Sequence, residues 1–117
     1  MKTILVVDDD KELRTMMRFV LAQNSFNVVE ADNGTTALSL ATEVQPDLVI
    51  SDVKMDNVNG FMLCEMLRKE PATSSIPIIL MTGTAFVAGA WGADDSIGYL
   101  EKPVSMADLL KAINERV

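Results

Sequence analysis

Three aspartates stand where apolar segments end, and they are the residues of this chain best suited to chemistry. Asp8 and Asp9 follow the apolar residues T-I-L-V-V, and Asp52 follows L-V-I-S. Carboxylate oxygens bind hard divalent cations, and aspartate is an accepted nucleophile in phosphoryl transfer. Asp52 is therefore the leading candidate for the working residue. The alternative at this position is a carboxylate that only caps a turn.

The segments that must position these acids alternate between two patterns. Short apolar and β-branched runs predict strands, and apolar residues at helical spacing predict the helices between them. The run before Asp52 has no polar alternation, which is typical of a strand buried on both faces of a parallel sheet. The predicted strands cover 3–7, 26–31, 48–52, 76–81 and 97–101. The predicted helices cover 11–23, 35–44, 61–69 and 106–117, and a further helix is expected between the fourth and fifth strands.

This alternation predicts an α/β fold: a doubly wound, flavodoxin-like, five-stranded parallel sheet flanked by helices. If the strand order is 2-1-3-4-5, the first and third strands are neighbours at the topological switch point. The strand ends then bring the three aspartates into one crevice, with Thr82 after the fourth strand and Lys102 after the fifth. Three carboxylates so close need a neutralising charge, and we expect Mg²⁺ and Lys102 to supply it.

Composition excludes several classes of function. The 117 residues suffice for one domain, with 49% apolar and 23% charged residues. A net charge of −7 argues against a nucleic-acid surface, and the absence of histidine removes Ser-His-Asp, Cys-His and histidine-ligated metal sites. The uncharged stretch 71–93 is interrupted by too many Pro, Gly and Thr residues for a membrane span. The single cysteine, Cys64, and the lack of a signal peptide predict a cytoplasmic protein.

Four motifs fall in order along the chain at the ends of the predicted strands. They are I-L-V-V-D-D ending at Asp9, S-D-V-K-M ending at Met55, M-T-G around Thr82, and G-Y-L-E-K-P ending at Pro103. Gly60 stands eight residues beyond the aspartate of the second motif. Together they make the chain similar, over essentially its whole length, to the receiver domain of two-component response regulators. The resemblance implies that residues 1–117 are one receiver domain.

The resemblance implies a phospho-acceptor that catalyses its own phosphotransfer and dephosphorylation and has no independent substrate. Asp52 would accept a phosphoryl group from the phosphohistidine of a partner, either a histidine kinase or a histidine phosphotransfer protein. The implied cofactor is Mg²⁺. Its ligands would be Asp9, Asp8 directly or through water, Asp52, and the backbone carbonyl of Lys54.

The resemblance also implies a switch. Thr82 would hydrogen-bond the phosphoryl oxygen, and Lys102 would pair with it. Tyr99 would turn inward when Thr82 moves toward the phosphate. The bond between Lys102 and Pro103 is expected to be cis, an arrangement that would aim the lysine into the crevice.

The chain departs from the family pattern in two places. Asp56 stands where family members commonly have proline, and Lys54 and Thr84 occupy positions that in the family modulate the lifetime of the phosphate. The spacing from Thr82 to Lys102 is also shorter than usual by a couple of residues. Glycines at 83, 89 and 92 predict that the helix between these residues is short, irregular or mobile.

That helix and the fifth strand would form the signalling face. Our hypothesis is that Phe86, Val87 and Trp91 make an apolar patch there, because exposed apolar patches usually mark interfaces. The patch would dock a downstream protein or a second copy of the chain.

Other functions fit parts of the same sequence. A receiver that binds its partner without phosphorylation would keep the fold and lose the chemistry. A small Mg²⁺-dependent aspartyl phosphatase, similar to the haloacid dehalogenase group, would use Asp8 and Asp10 as nucleophile and acid, and Asp94 and Asp95 as a metal pair. A flavodoxin-like cofactor binder is disfavoured, because the loop after the first strand is acidic.

Overall fold

Five parallel strands form one sheet in the structure, a computed structural model that describes residues 1–55, 58–83 and 97–117. The strands are β1 (Thr3–Val7), β2 (Asn27–Ala31), β3 (Leu48–Asp52), β4 (Ile78–Thr82) and β5 (Ile97–Glu101). The helices in these residues are α1 (Lys11–Gln23), α2 (Gly34–Val44), α3 (Gly60–Lys69) and α4 (Met106–Asn114). The strand order is β2-β1-β3-β4-β5, so the predicted doubly wound fold is confirmed.

Both faces of the sheet are covered by helices. Strand residues alternate between the faces, and each set packs with two helices to form a separate apolar cluster. The cluster under α2 and α3 includes Leu5, Val49, Leu80, Ala41 and Leu67. The cluster under α1 and α4 includes Ile4, Ile50, Met81, Met17 and Leu109. Every residue of β3 and β4 is buried, as expected for inner strands of a sheet with helices on both faces.

The parallel register aligns the carboxyl ends of the central strands. Val7 of β1 is opposite Ser51 of β3, so Asp8 and Asp52 are the next residues along the two strands. Asp52 is in turn opposite Met81 of β4. The register therefore puts the acids of β1 and β3 at the same level of the sheet edge.

Each of these four helices begins after a residue whose side chain accepts a backbone N–H from the first turn. The caps are Asp10, Asn33, Asn59 and Ser105. A side-chain cap of this kind stabilises a helix by about 1 kcal/mol. Asp10 caps α1, so the helix starts one residue after the acidic pair of Asp8 and Asp9.

The observed boundaries differ from the predicted ones at a few ends. β4 begins at Ile78, because the N–H of Ile76 closes a turn to the carbonyl of Thr73 and Pro77 has no N–H to donate. The last helix ends at Asn114 instead of residue 117. The helix predicted between β4 and β5 lies outside the described residues. Among the helices that are described, none has the length and apolar content needed to cross a membrane.

Candidate functional site

The carboxyl edge of the sheet gathers three carboxylates. Asp8, Asp9 and Asp52 each offer one oxygen, and these oxygens lie within 4.8 Å of one another. Asp8 is completely buried and Asp52 is 6% exposed, whereas Asp9 is open to solvent. The predicted crevice at the switch point between β1 and β3 is therefore present.

Asp8 is held through both its main chain and its side chain. Its backbone N–H donates to the carbonyl of Ala31 at 3.1 Å, which extends the pairing of β1 with β2 by one residue. Its Oδ1 accepts the backbone N–H of Asp10 at 2.9 Å. Its backbone carbonyl accepts Nη1 of Arg14 at 2.6 Å. The orientation of this buried acid is thus fixed before any ion or substrate arrives.

Lys102 brings a positive charge to two of these acids at once. Its Nζ lies 3.2 Å from Oδ2 of Asp8 and 3.2 Å from Oδ2 of Asp52. The lysine follows β5, and its backbone N–H donates to the carbonyl of Thr82 at 2.7 Å, which joins the ends of β5 and β4. The peptide bond between Lys102 and Pro103 is cis, as predicted.

Burial and the neighbouring charges shift the pKa values of Asp8 and Lys102. Burial raises the pKa of the Asp8 carboxyl above its ordinary 3.8, although the N–H of Asp10 and the ammonium of Lys102 partly oppose the shift. For Lys102, burial alone lowers the pKa, but Asp8 and Asp52 outweigh it and the net shift is upward from 10.5. The lysine is therefore a firmly protonated counter-ion at neutral pH.

Of the remaining predicted site residues, Lys54 and Thr82 lie near Asp52 and Tyr99 does not. The backbone N–H of Lys54 donates to Oδ1 of Asp52 at 3.3 Å. Thr82 is buried at the end of β4, in the strand adjacent to Asp52. Tyr99 lies farther away, in β5 opposite Leu80, and packs against the cluster under α2 and α3. Tyr99 is thus separate from the acids.

An open cleft of about 520 Å³ leads to the acids. Its walls are formed by Asp9, Asp52, Lys54, Met55, Gly83 and Lys102. A magnesium ion binds oxygen at about 2.1 Å, so two ligand oxygens on opposite sides of it are about 4.2 Å apart. The three carboxylate oxygens suit that ion in chemistry and lie within 4.8 Å of one another, so they could hold a metal ion.

Sequence reasoning missed one residue that contacts the site. Arg14 was not predicted, because its contact with the Asp8 carbonyl depends on the path of a long side chain, for which the sequence carries no periodic signal. The predicted patch of Phe86, Val87 and Trp91 lies outside the described residues. The same is true of Asp56, Thr84 and the Asp94–Asp95 pair.

Comparison with known proteins agrees with this geometry. The family model of the response regulator receiver domain matches residues 4–114. Protein PilH of Pseudomonas aeruginosa is 35% identical over 116 residues, a match that covers 97% of this chain and 96% of PilH. Histidine kinase P4 of Formosa agariphila is 37% identical over 111 residues, which cover 91% of this chain and 8% of the kinase.

Other relatives and solved structures extend the comparison. The chain spans about half the length of several further curated relatives, which are transcriptional regulators. The structure of chemotaxis protein CheY4 of Vibrio cholerae superposes with a TM-score of 0.91 at 28% identity, covering 100% of this chain and 99% of that one. The chain belongs to the family of response regulator receiver domains of two-component signalling.

Proposed function

We propose that residues 1–117 act as one receiver domain that accepts a phosphoryl group on Asp52 and thereby regulates a partner. The observation that carries this proposal is the position of Lys102, whose ammonium lies 3.2 Å from the carboxylates of both Asp8 and Asp52. A cation in that position would offset the charge of an incoming phosphoryl group. The phosphoryl donor would be the phosphohistidine of a histidine kinase or a histidine phosphotransfer protein.

The chain would contribute mainly position and charge to the transfer. A carboxylate oxygen of Asp52 forms the new bond to phosphorus while the bond from phosphorus to the donor's imidazole nitrogen breaks, and the electron pair stays with that nitrogen. Lys102 pairs with the phosphoryl oxygens, and Thr82 donates its hydroxyl to one of them. The cleft would admit the donor because its walls include the solvent-exposed residues Asp9 and Lys54.

The residues that would hold Mg²⁺ are Asp8, Asp9 and Asp52 through their carboxylates and Lys54 through its backbone carbonyl. When bound, the ion neutralises the charge that builds up between the acids and the phosphoryl oxygens. The spacing of the three carboxylate oxygens supports this assignment.

The regulatory step would be a population shift in which phosphorylation favours an inward Tyr99. The partner surface would include β5, together with the helix predicted before it. A groove of about 300 Å³ beside Tyr99 is lined by the acidic residues Asp108 and Glu115 and the basic residues Lys111 and Arg116. These charges suit a charged surface of another protein or of a second copy. Light scattering with and without phosphorylation tests whether a second copy of the chain binds. If the measured mass remains that of a monomer, the partner is a different protein.

The domain would work as a switch in the cytoplasm and not as an independent enzyme. The net charge of −7 supports protein partners over nucleic acid for this domain. The chain has one cysteine, the buried Cys64, and a single cysteine cannot form an internal disulfide, which is compatible with a reducing compartment.

The deciding experiment is intact mass spectrometry after incubation with Mg²⁺ and acetyl phosphate, on the wild type and on Asp52→Asn. We expect one phosphoryl adduct that requires Mg²⁺ and is absent from the variant. An adduct that persists in Asp52→Asn would move the nucleophile to another acid such as Asp8. If neither protein gains an adduct, the proposal is wrong and a docking module that works without phosphorylation takes its place.

A further inference from the structure

Arg14 makes a contact that links helix α1 directly to the acidic cluster. Asp8 lies just beyond the end of β1 and is completely buried, so solvent does not hydrate its backbone carbonyl. Nη1 of Arg14 donates to that carbonyl at 2.6 Å. A buried carbonyl left without a donor is unfavourable, so this bond stabilises the folded arrangement.

The guanidinium of Arg14 is itself held from two sides. Its Nε lies 3.3 Å from Oε1 of Glu30 on β2, and its side chain is only 14% exposed. Arg18 binds the other oxygen of Glu30 at 2.8 Å, but its side chain is 61% exposed and the structure gives it no bond to Asp8. Glu30 thus forms ion pairs with Arg14 and Arg18, and of these two Arg14 also contacts Asp8.

The carbonyl that Arg14 holds belongs to the peptide unit between Asp8 and Asp9. A peptide unit is planar, so a fixed direction for the oxygen also fixes the N–H of Asp9 and the orientation of the two Cα atoms. The carboxylates of Asp8 and Asp9 depart from the two ends of this plane. A rotation of the plane would therefore turn one carboxylate relative to the other.

We infer that Arg14 is a positioning residue for the proposed magnesium site: it locks the peptide plane between Asp8 and Asp9 so that both carboxylates face one ion. The inference rests on the proposed function. It assigns Arg14 no contact with the ion or the phosphoryl group. Glu30 acts one step farther out, because it anchors the guanidinium from β2.

The direction in which Mg²⁺ affinity changes when Arg14 is replaced distinguishes a positioning role from a simple electrostatic one. Arg14 is a cation close to a cation site, so removal of its charge alone would leave Mg²⁺ affinity unchanged or raise it. Loss of the locked peptide plane would lower the affinity. Changes to residues that orient metal ligands typically cost about 10–100-fold in metal affinity.

The test is calorimetric titration of Mg²⁺ into the wild type, Arg14→Met, Arg14→Lys and Arg18→Met. Arg18→Met is the matched control, because it removes the same charge from the same Glu30 without touching Asp8. We expect about tenfold weaker binding in Arg14→Met. Arg18→Met should bind as the wild type does or more tightly. Arg14→Lys should recover part of the affinity, because an ammonium can still donate to the carbonyl of Asp8.

Urea unfolding without Mg²⁺ ensures that only folded protein is compared. If Arg14→Met is too unstable to titrate, the comparison of Arg14→Lys with Arg18→Met decides instead, with weaker binding expected only in Arg14→Lys. Equal Mg²⁺ affinities in all variants would overturn the inference. A loss of Mg²⁺ affinity in Arg18→Met as large as that in Arg14→Met would also overturn it. A wild type that binds no Mg²⁺ would instead refute the proposed function on which the inference rests.

Discussion

Lys102 and Asp52 are joined by an ion pair of 3.2 Å between Nζ and Oδ2, although β5 and β3 are not neighbours in the sheet. The lysine side chain passes the end of β4 to reach the acid. The pair therefore depends on all three strands ending at the same edge. It also makes Lys102 the residue that relieves the repulsion between Asp52 and Asp8 when no metal is bound.

Replacement of Lys102 should leave the repulsion between the carboxylates of Asp8 and Asp52 unopposed. In Mg²⁺-free buffer we expect Lys102→Met to lower the free energy of unfolding by about 1–3 kcal/mol, because the buried Asp8 loses its charged partner. Mg²⁺ should stabilise the variant more than it stabilises the wild type, since the ion then supplies the missing positive charge. Thermal melts of both proteins with and without Mg²⁺ measure the difference. An identical Mg²⁺ response in the two proteins would contradict this account of Lys102.

The raised pKa of Asp8 predicts how its effect on stability depends on pH. Because burial raises this pKa above the unfolded value of 3.8, the folded protein holds a proton that the unfolded chain has already released. The contribution of Asp8 to the free energy of unfolding is therefore fully present below pH 3.8 and is lost as pH rises through the folded-state pKa. Without Mg²⁺, the stability of the wild type relative to Asp8→Asn should fall from acid to neutral pH. Urea titrations across that range provide the measurement, and a relative stability that grows with pH would mean that Lys102 outweighs burial.

Gly60 allows the loop after β3 to lie against the backbone of Asp52. A Cβ at Gly60 would stand 2.6 Å from the carbonyl oxygen of Asp52, and neither backbone can yield easily. We expect Gly60→Ala to cost about 1–3 kcal/mol in the free energy of unfolding. The control is Gly98→Ala, where the added Cβ would meet the end of the Arg116 side chain, which can move aside. Equal losses in the two variants would show that the tight contact at Asp52 is not what Gly60 provides.

The switch proposed for Tyr99 can be followed without interference, because the chain contains a single tyrosine. With fluorotyrosine incorporated, we expect the one fluorine resonance to shift when Mg²⁺ and acetyl phosphate are added to the wild type. Thr82→Ala should still gain the phosphoryl adduct but leave the resonance unmoved, because it lacks the hydroxyl that relays the change. A full shift in Thr82→Ala would separate Tyr99 from Thr82 and refute the relay.

The sequence predicted the fold and the acidic cluster well, because both depend on short-range patterns. The unbroken apolar run before Asp52 identified a buried inner strand, and the alternation of strands and helices placed Asp8 and Asp52 at one edge. The contact of Arg14 with the Asp8 carbonyl could not be predicted in this way. It depends on the path of a long side chain from α1 to a backbone atom, and on Glu30 in β2, neither of which leaves a periodic signal. The start of β4 was misplaced because Ile76, the apolar residue before Pro77, continues the strand pattern although its backbone still belongs to a turn.

The shared register of β1 and β3 limits how this chain can change in length. Val7 stands opposite Ser51, and the next residue on each strand is an acid of the site. An apolar residue within either strand can be exchanged for another of similar size with little effect on where the acids lie. An inserted or deleted residue between the start of a strand and its aspartate would turn that aspartate to the opposite face of the sheet. We therefore expect length variation among functional descendants of this chain to accumulate in the connecting loops, away from these two short strands.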